Sequence, residues 1–162
     1  MHDTWLLQTA AGLANGVIYA TLALALVMIH RTTHHINFAQ GEMATLSAFL
    51  AWSLMQSGWS YPVAVGLTLL ASLGLGVLVQ RVCLRPIEGA PVLTQVMVFV
   101  GLLMVFHAFM SWQWGHSLKS LPSPFAVQGW GLLPWWTGHE LGSMAMTTAV
   151  MGLVYGFFKF TR

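Results

Sequence analysis

The side chains of this sequence that are best suited to chemistry lie in one polar stretch, "RTTHHINFAQGEM", between two long apolar runs. Asn37, Gln40 and Glu42 bring two amides and a carboxylate into it. A carboxylate inside a membrane helix is costly unless it faces a polar cavity or a partner, so such a residue is a functional candidate by default. We therefore expect these three residues to line a polar path.

The depth of Glu42 depends on where the second apolar helix begins. A start at Ile36 puts Glu42 six positions inside, about 9 Å below the helix end at ~1.5 Å per residue. A broken or re-entrant segment is a second possibility, because irregular backbone is tolerated at membrane depth where protein or water surrounds it. With a start at Met43, Glu42 is instead an interfacial residue near Arg31, favoured by the helix dipole. Residue types alone leave these alternatives open.

Other chemistry has weaker support in the sequence. His30 and His34 have the i, i+4 spacing of two metal ligands, but neither a cysteine nor a second carboxylate accompanies them, so we predict no metal site. A redox subunit with haem-binding histidines is a further reading that a Soret band would reveal. No GxxxxGK[ST] phosphate loop and no paired carboxylates are found. The sequence predicts neither an enzyme nor a cofactor, and no nucleic-acid partner.

The composition indicates an integral membrane protein whose main environment is lipid. Only 6% of the residues are charged and 57% are apolar, against roughly a quarter charged in soluble domains. Uncharged runs exceed the ~18 residues typical of a transmembrane helix. We predict an all-α, polytopic membrane helix bundle that forms one domain over residues 1–162. Its five expected spans are residues 4–29, 36–56, 61–80, 92–112 and 141–158, and residues 113–140 form a long loop.

The positive charges orient these spans. With the N-terminus outside, the inner loops carry five of the six Lys and Arg residues, and the outer loops carry only Lys119. Positive residues are enriched in cytoplasmic loops, so we predict an outside N-terminus.

Small residues predict two helix-packing faces. Gly12 and Gly16 lie one turn apart in the first span, and Gly152 and Gly156 do the same in the last. Small residues at this spacing let helix backbones approach closely in lipid. Glycine is also simply common in membrane helices, so packing is one of two readings.

The sequence resembles a known family along essentially its whole length. "GLANGVIYATLALALVMIHRTTHHINFAQGEMATLSAFLAW" is similar to the opening of the permease subunit of the branched-chain amino-acid ABC transporters, and "QRVCLRPIEGAPVLTQVMVFVGLLMVF" and "LPSPF" resemble its following stretch and periplasmic loop. The resemblance implies a multi-pass subunit of the bacterial inner membrane. Its implied partners are a second permease, cytoplasmic ATPases and a periplasmic binding protein that delivers leucine, isoleucine or valine.

The resemblance has departures that leave other functions open. His34 and His35 replace the usual Gly-Val, and Gln40 stands where histidine is common. The sequence ends at "FFKFTR", where the family continues into an ATPase-coupling segment, so we expect an N-terminal half. The alternatives are a non-transporting structural or regulatory membrane protein, or an inactive permease fragment. Urea or another small polar solute is the alternative substrate.

Overall fold

The structure is a computed structural model that describes residues 2–33, 37–123, 125 and 137–160. Every α-helix in these ranges has at least 17 residues, and no strand occurs among them. The prediction of an all-α fold with five helices is therefore confirmed. The helices are α1 (His2–Thr33), α2 (Gln40–Gln56), α3 (Tyr61–Val79), α4 (Val92–Trp114) and α5 (Gly138–Phe160).

The chain divides into two compact units. One comprises Met1–Met28 and Pro122–Arg162, and contains most of α1 together with α5. The other, Ile29–Leu121, contains α2, α3 and α4. The polar stretch around Glu42 lies in this second unit.

Short turns with glycine and proline set the starts of α3 and α4. Gly58 has φ +87°, a left-handed conformation that glycine adopts without a steric penalty. Pro62 lies in the first turn of α3, where its missing N–H has no helical partner to lose. Pro91 has extended backbone and immediately precedes α4. Gly58 thus lets the chain turn after α2, and the two prolines lie at the starts of α3 and α4.

Helical backbone continues beyond α3, which corrects one expectation. We expected the third span to end at Gln80 and the fourth to begin at Val92, with no helix between them. Instead, a π-helical turn, Gln80–Leu84, leads into a 3-10 turn, Arg85–Ile87. Pro86 is tolerated because it lies in the first residues of this new turn, where no N–H is required. Gln95 then closes the connection by donating its side-chain N–H to the Ala90 carbonyl at 2.9 Å.

Helix α2 packs between α3 and α4. A hydroxyl contact of 2.7 Å between Ser47 and Ser72 joins α2 to α3. Phe49 stacks on Trp114 of α4, with ring centroids 5.3 Å apart. The buried core of this unit draws on all three helices and the turn before α2: Ala39, Leu46, Val79, Phe106 and Met110.

Three helical segments among the described residues are long and apolar enough to cross a membrane: Thr4–Arg31, Tyr61–Ile87 and Val92–Trp114. Leu70 and Leu73 are each 67% exposed, as helices in contact with lipid require. Helix α2 has 17 residues, about 25 Å at ~1.5 Å per residue, less than a ~30 Å hydrocarbon core. Membrane crossing by α2 and α5 and the outside N-terminus stay predictions.

The four predicted packing glycines lie on open helix surfaces. A β-carbon placed on Gly12, Gly16, Gly152 or Gly156 would meet no neighbouring atom within 4 Å in the described part of the chain. Within α1, the buried small residues are instead Ala10 and Ala14. Packing through the glycines therefore stays a prediction that would involve another chain.

Candidate functional site

A turn that begins at Asn37 places Glu42 in the first turn of α2. The Asn37 side-chain oxygen accepts the Ala39 N–H at 3.0 Å, and the Asn37 carbonyl accepts the Gln40 N–H at 3.2 Å. Asparagine commonly forms such local turns in place of helix. Helix α2 consequently begins at Gln40, four residues later than we expected. Glu42 is its third residue, rather than six positions inside a straight helix.

Contacts with the neighbouring helices show how deep Glu42 lies. Glu42 contacts His107 of α4, and Phe49 contacts Trp114, so α2 and α4 run parallel at a constant sequence offset. His107 lies 15 residues after Val92, where α4 begins, about 22 Å along the helix at ~1.5 Å per residue. Glu42 therefore lies beside the interior of the candidate span Val92–Trp114.

The neighbour on the other side also indicates a position away from the helix ends. Ala39 and Val79 belong to one buried cluster, and the helical segment that contains Val79 continues for eight residues to Ile87. Eight residues correspond to about 12 Å at ~1.5 Å per residue. This geometry favours an interior position for Glu42 over an interfacial one.

Glu42 has one polar partner on α4. The His107 Nδ1 and Glu42 Oε1 atoms are 3.3 Å apart, and the tautomer protonated at Nδ1 donates to the carboxylate. The side chains are 64% exposed for His107 and 23% exposed for Glu42. Each ionisable side chain thus has a partner, which reduces the cost of placing it in an apolar environment.

A cavity of about 490 Å³ opens beside this pair, between α2, α4 and the segment that follows α4. Its polar groups are one carboxylate, two imidazoles, hydroxyls and the ammonium of Lys119, which lies 5.0 Å from the centroid of the Trp52 ring. The walls are mainly aromatic and aliphatic. The lining comprises Glu42, Thr45, Ala48, Phe49, Trp52, His107, Met110, Ser111, Gly115, His116, Ser117, Leu118, Lys119 and Leu121.

A second cavity, of about 400 Å³, lies against the opposite face of α2. Asn37 and Gln40 line it, together with Ser47 and Ser72. Asn37 is buried, and the Gln40 Oε1 atom is buried without a hydrogen-bond partner among the described residues. The structure thus brings Asn37 and Gln40 together but places Glu42 in the other cavity.

His107 is the residue of this site that the sequence reading missed. The sequence reading named neither His107 nor His116 as a site residue, and both line the larger cavity. The available signal was that His107 is the one ionisable side chain in the apolar sequence of α4. His34 and His35, which depart from the family pattern, lie outside the described residues. Among the described residues, no group of three or more His, Cys, Asp or Glu could hold a metal ion.

Comparison with known proteins identifies the family. Residues 8–161 match the family model of the branched-chain amino acid transport system permease component. Similar proteins include the high-affinity branched-chain amino acid transport system permease protein LivH of Escherichia coli K12 and its Salmonella typhimurium LT2 counterpart. Each is 25% identical over 93% of this chain and 50% of the relative.

The chain thus spans about half the length of the curated relatives it matches. No solved structure matches it. The family is a transport component and not a class of enzymes. The family match covers nearly the whole sequence, in agreement with the apolar helices of the fold. This membrane protein belongs to the branched-chain amino acid transport permease family.

Proposed function

We propose that this chain is a permease subunit of an ABC importer that carries leucine, isoleucine and valine across the bacterial inner membrane. The family match supports the transport role, and the names of the similar proteins support the substrate class. The cavity beside Glu42 is the observation that links the proposed function to specific residues. It places a carboxylate and several polar groups beside the interior of a candidate span.

The lining of this cavity suits a small amino acid with an aliphatic side chain. Phe49, Met110 and Leu118 offer apolar surface, while Glu42 and Lys119 carry opposite charges. Glu42 and the apolar wall suit the ammonium and the side chain of such a solute, while Lys119 lies farther along the cavity, beside Trp52. The volume of about 490 Å³ falls within the roughly 300–1,000 Å³ range of small-molecule sites. Asn37 and Gln40 line the smaller cavity, which we propose as a second polar compartment of the same path.

The proposal requires partner subunits. The sequence holds no GxxxxGK[ST] phosphate loop, so cytoplasmic ATPases would supply the energy. A second permease would complete the path, and the open surfaces at Gly12, Gly16, Gly152 and Gly156 would let its helices approach closely. A periplasmic binding protein would deliver the substrate.

Uptake of tritiated leucine tests the proposal. The chain would be supplied with the second permease, ATPases and binding protein of a branched-chain amino acid transporter, in cells that lack this uptake. We expect leucine uptake that excess isoleucine or valine inhibits and excess urea does not. Uptake of labelled urea in place of leucine would favour a small polar solute as substrate. A lack of uptake of both solutes above that of cells without the chain would favour a non-transporting membrane protein.

A further inference from the structure

We propose that the Glu42 carboxylate binds the ammonium group of the transported amino acid, and that the substrate displaces His107 from Glu42 when it binds. This inference rests on the proposed function and assigns one chemical role within it. It predicts that the protein selects for a charged amino group. An uncharged solute such as urea, or a carboxylic acid without an amino group, would lack this contact.

The composition of the cavity leaves one candidate for this role. Glu42 is the only carboxylate among the described residues that line it. The other charged or ionisable lining groups are His107, His116 and Lys119, which would not attract an ammonium. The Glu42 side chain lines the cavity and is 23% exposed, so a ligand can reach it. A substrate ammonium in this cavity would find its favourable electrostatic partner at Glu42.

The geometry of the contact between Glu42 and His107 would allow the substrate ammonium to replace His107 at the carboxylate. At 3.3 Å it is longer than the about 2.7–2.9 Å of a charge-assisted N–H···O bond. An ammonium carries three N–H donors and a full charge, so it can make a shorter and stronger contact with the carboxylate. The imidazole is 64% exposed and has room to move when the substrate arrives. His107 would then keep the carboxylate partnered only while the cavity holds no substrate.

Other groups that line the cavity would receive the rest of the substrate. Ser111 lies one turn beyond His107, and its hydroxyl is an available donor for the substrate carboxylate. Met110, one turn beyond His107, provides apolar surface for a branched side chain, and Phe49 does so two turns beyond Glu42. Lys119 lies beside Trp52. Trp52 is ten residues after Glu42 on α2, which corresponds to about 15 Å along the helix. At that distance Lys119 would attract the substrate carboxylate on entry rather than hold it beside Glu42.

Equilibrium binding of tritiated leucine to the detergent-solubilised transporter complex, without the binding protein, tests the role of Glu42. The competitor is 4-methylpentanoate, which is leucine without its amino group. We expect the wild-type protein to prefer leucine strongly. Glu42→Gln should weaken leucine binding about tenfold or more, the effect of one lost charge-assisted hydrogen bond, and should remove most of this preference.

Glu88→Gln is the matched control for this measurement. Glu88 lies in the turn before α4, outside the cavity, and accepts a 3.2 Å hydrogen bond from Gln80. This control should keep the affinity and preference of the wild type. Unchanged leucine affinity in Glu42→Gln would overturn the inference. Absence of leucine binding to the wild type would overturn the proposed function as well, so the two failures are distinguishable.

A second variant decides the question if Glu42→Gln accumulates poorly in the membrane. His107→Ala removes the competing partner and leaves the carboxylate free for the ammonium. We expect leucine to bind about threefold tighter to this variant, with its preference over 4-methylpentanoate retained. Unchanged or weaker binding would contradict displacement of His107 by the substrate. A purely structural role of the pair would not produce tighter binding.

Discussion

At the scale of single residues, Ser47 and Ser72 join α2 to α3. Their oxygens are 2.7 Å apart, and each also lies within hydrogen-bonding distance of a carbonyl one turn earlier, Met43 at 2.9 Å and Thr68 at 2.7 Å. Two hydroxyl protons can make only two of these three hydrogen bonds at one time. Loss of either serine would remove the hydrogen bond between the helices.

We expect Ser72→Ala to destabilise the protein by about 0.6 kcal/mol, the average for hydrogen bonds between membrane helices. Thermal unfolding in detergent would measure this change. The double variant Ser47→Ala with Ser72→Ala should cost little more than one single variant. Both remove the same bond between the helices, and the bond of a serine to the carbonyl one turn earlier does not stabilise a helix. A double variant that loses the full sum of two such costs would contradict the shared bond.

The sequence predicts some residues of this site and not others. Glu42 stands out because a carboxylate beside apolar helices is expensive and therefore functional by default. Its partner His107 lies 65 residues away, and their meeting depends on the register between α2 and α4. Residue type carries no information on that register. For the same reason, the sequence does not reveal that Asn37 and Gln40 line a separate cavity, which lies against the face of α2 opposite to Glu42.

At the scale of elements, Gly115 ends α4 and begins the segment that lines the cavity. Its φ of 71° and ψ of −171° lie in a region that is essentially restricted to glycine. Any side chain there would strain the backbone at about 1–3 kcal/mol. The cavity segment, residues 115–121, therefore depends on Gly115 for its direction.

Gly115→Ala should lower the unfolding temperature in detergent, because alanine at this position would strain the backbone. Gly101→Ala is the matched control, because Gly101 lies inside α4 and a β-carbon there meets nothing within 4 Å. Alanine is the better helix former, so the control should be neutral or slightly stabilising. Equal losses of stability in the two variants would contradict a special role for Gly115.

The sequence predicts helix boundaries where residues at the boundary itself, such as proline and glycine, determine the backbone conformation. The starts of α3 at Tyr61 and α4 at Val92 coincide with the expected starts of those spans, because proline and glycine mark them. The start of α2 was misplaced because Asn37 turns the chain with its own side chain. The helical backbone to Ile87 was missed because a π turn and a 3-10 turn accommodate Pro86.

At the scale of the whole molecule, the distribution of positive charge predicts which ends of the helices face the cytoplasm. Arg81 and Arg85 lie in the connection between α3 and α4, and Lys119 follows the other end of α4. Positive residues favour the cytoplasmic side. The larger cavity, which Lys119 lines, would then open toward the periplasm.

Reporter fusions test this orientation. Green fluorescent protein fused after Gly89 should fluoresce, and alkaline phosphatase fused after Ser120 should be active, because the former works in the cytoplasm and the latter in the periplasm. The exchanged pair of fusions serves as the control and should be inactive. The reverse pattern would contradict an outside N-terminus and would turn the cavity toward the cytoplasm.

Membership of the permease family could be anticipated from the sequence, because its motifs occur in order along the whole chain, and the family match confirms it. The apolar composition similarly predicts the membrane environment. The substrate could not be derived in this way. We propose that selection among small solutes depends on side chains of α2 and α4 that line one cavity, such as Glu42 and Ser111, and on partner proteins.

Thiol labelling tests most directly whether the cavity beside Glu42 lies on the substrate path. Thr45→Cys would be introduced with Cys83→Ser into the transporter complex, and its reaction with a membrane-impermeant thiol reagent measured with and without saturating leucine. Thr45 lines the cavity. Leu70→Cys is the control, because Leu70 is 67% exposed on α3 and outside the cavity. We predict labelling of Thr45→Cys that leucine slows and no labelling of Leu70→Cys. Labelling of Thr45→Cys that leucine leaves unchanged, or no labelling at all, would contradict the account.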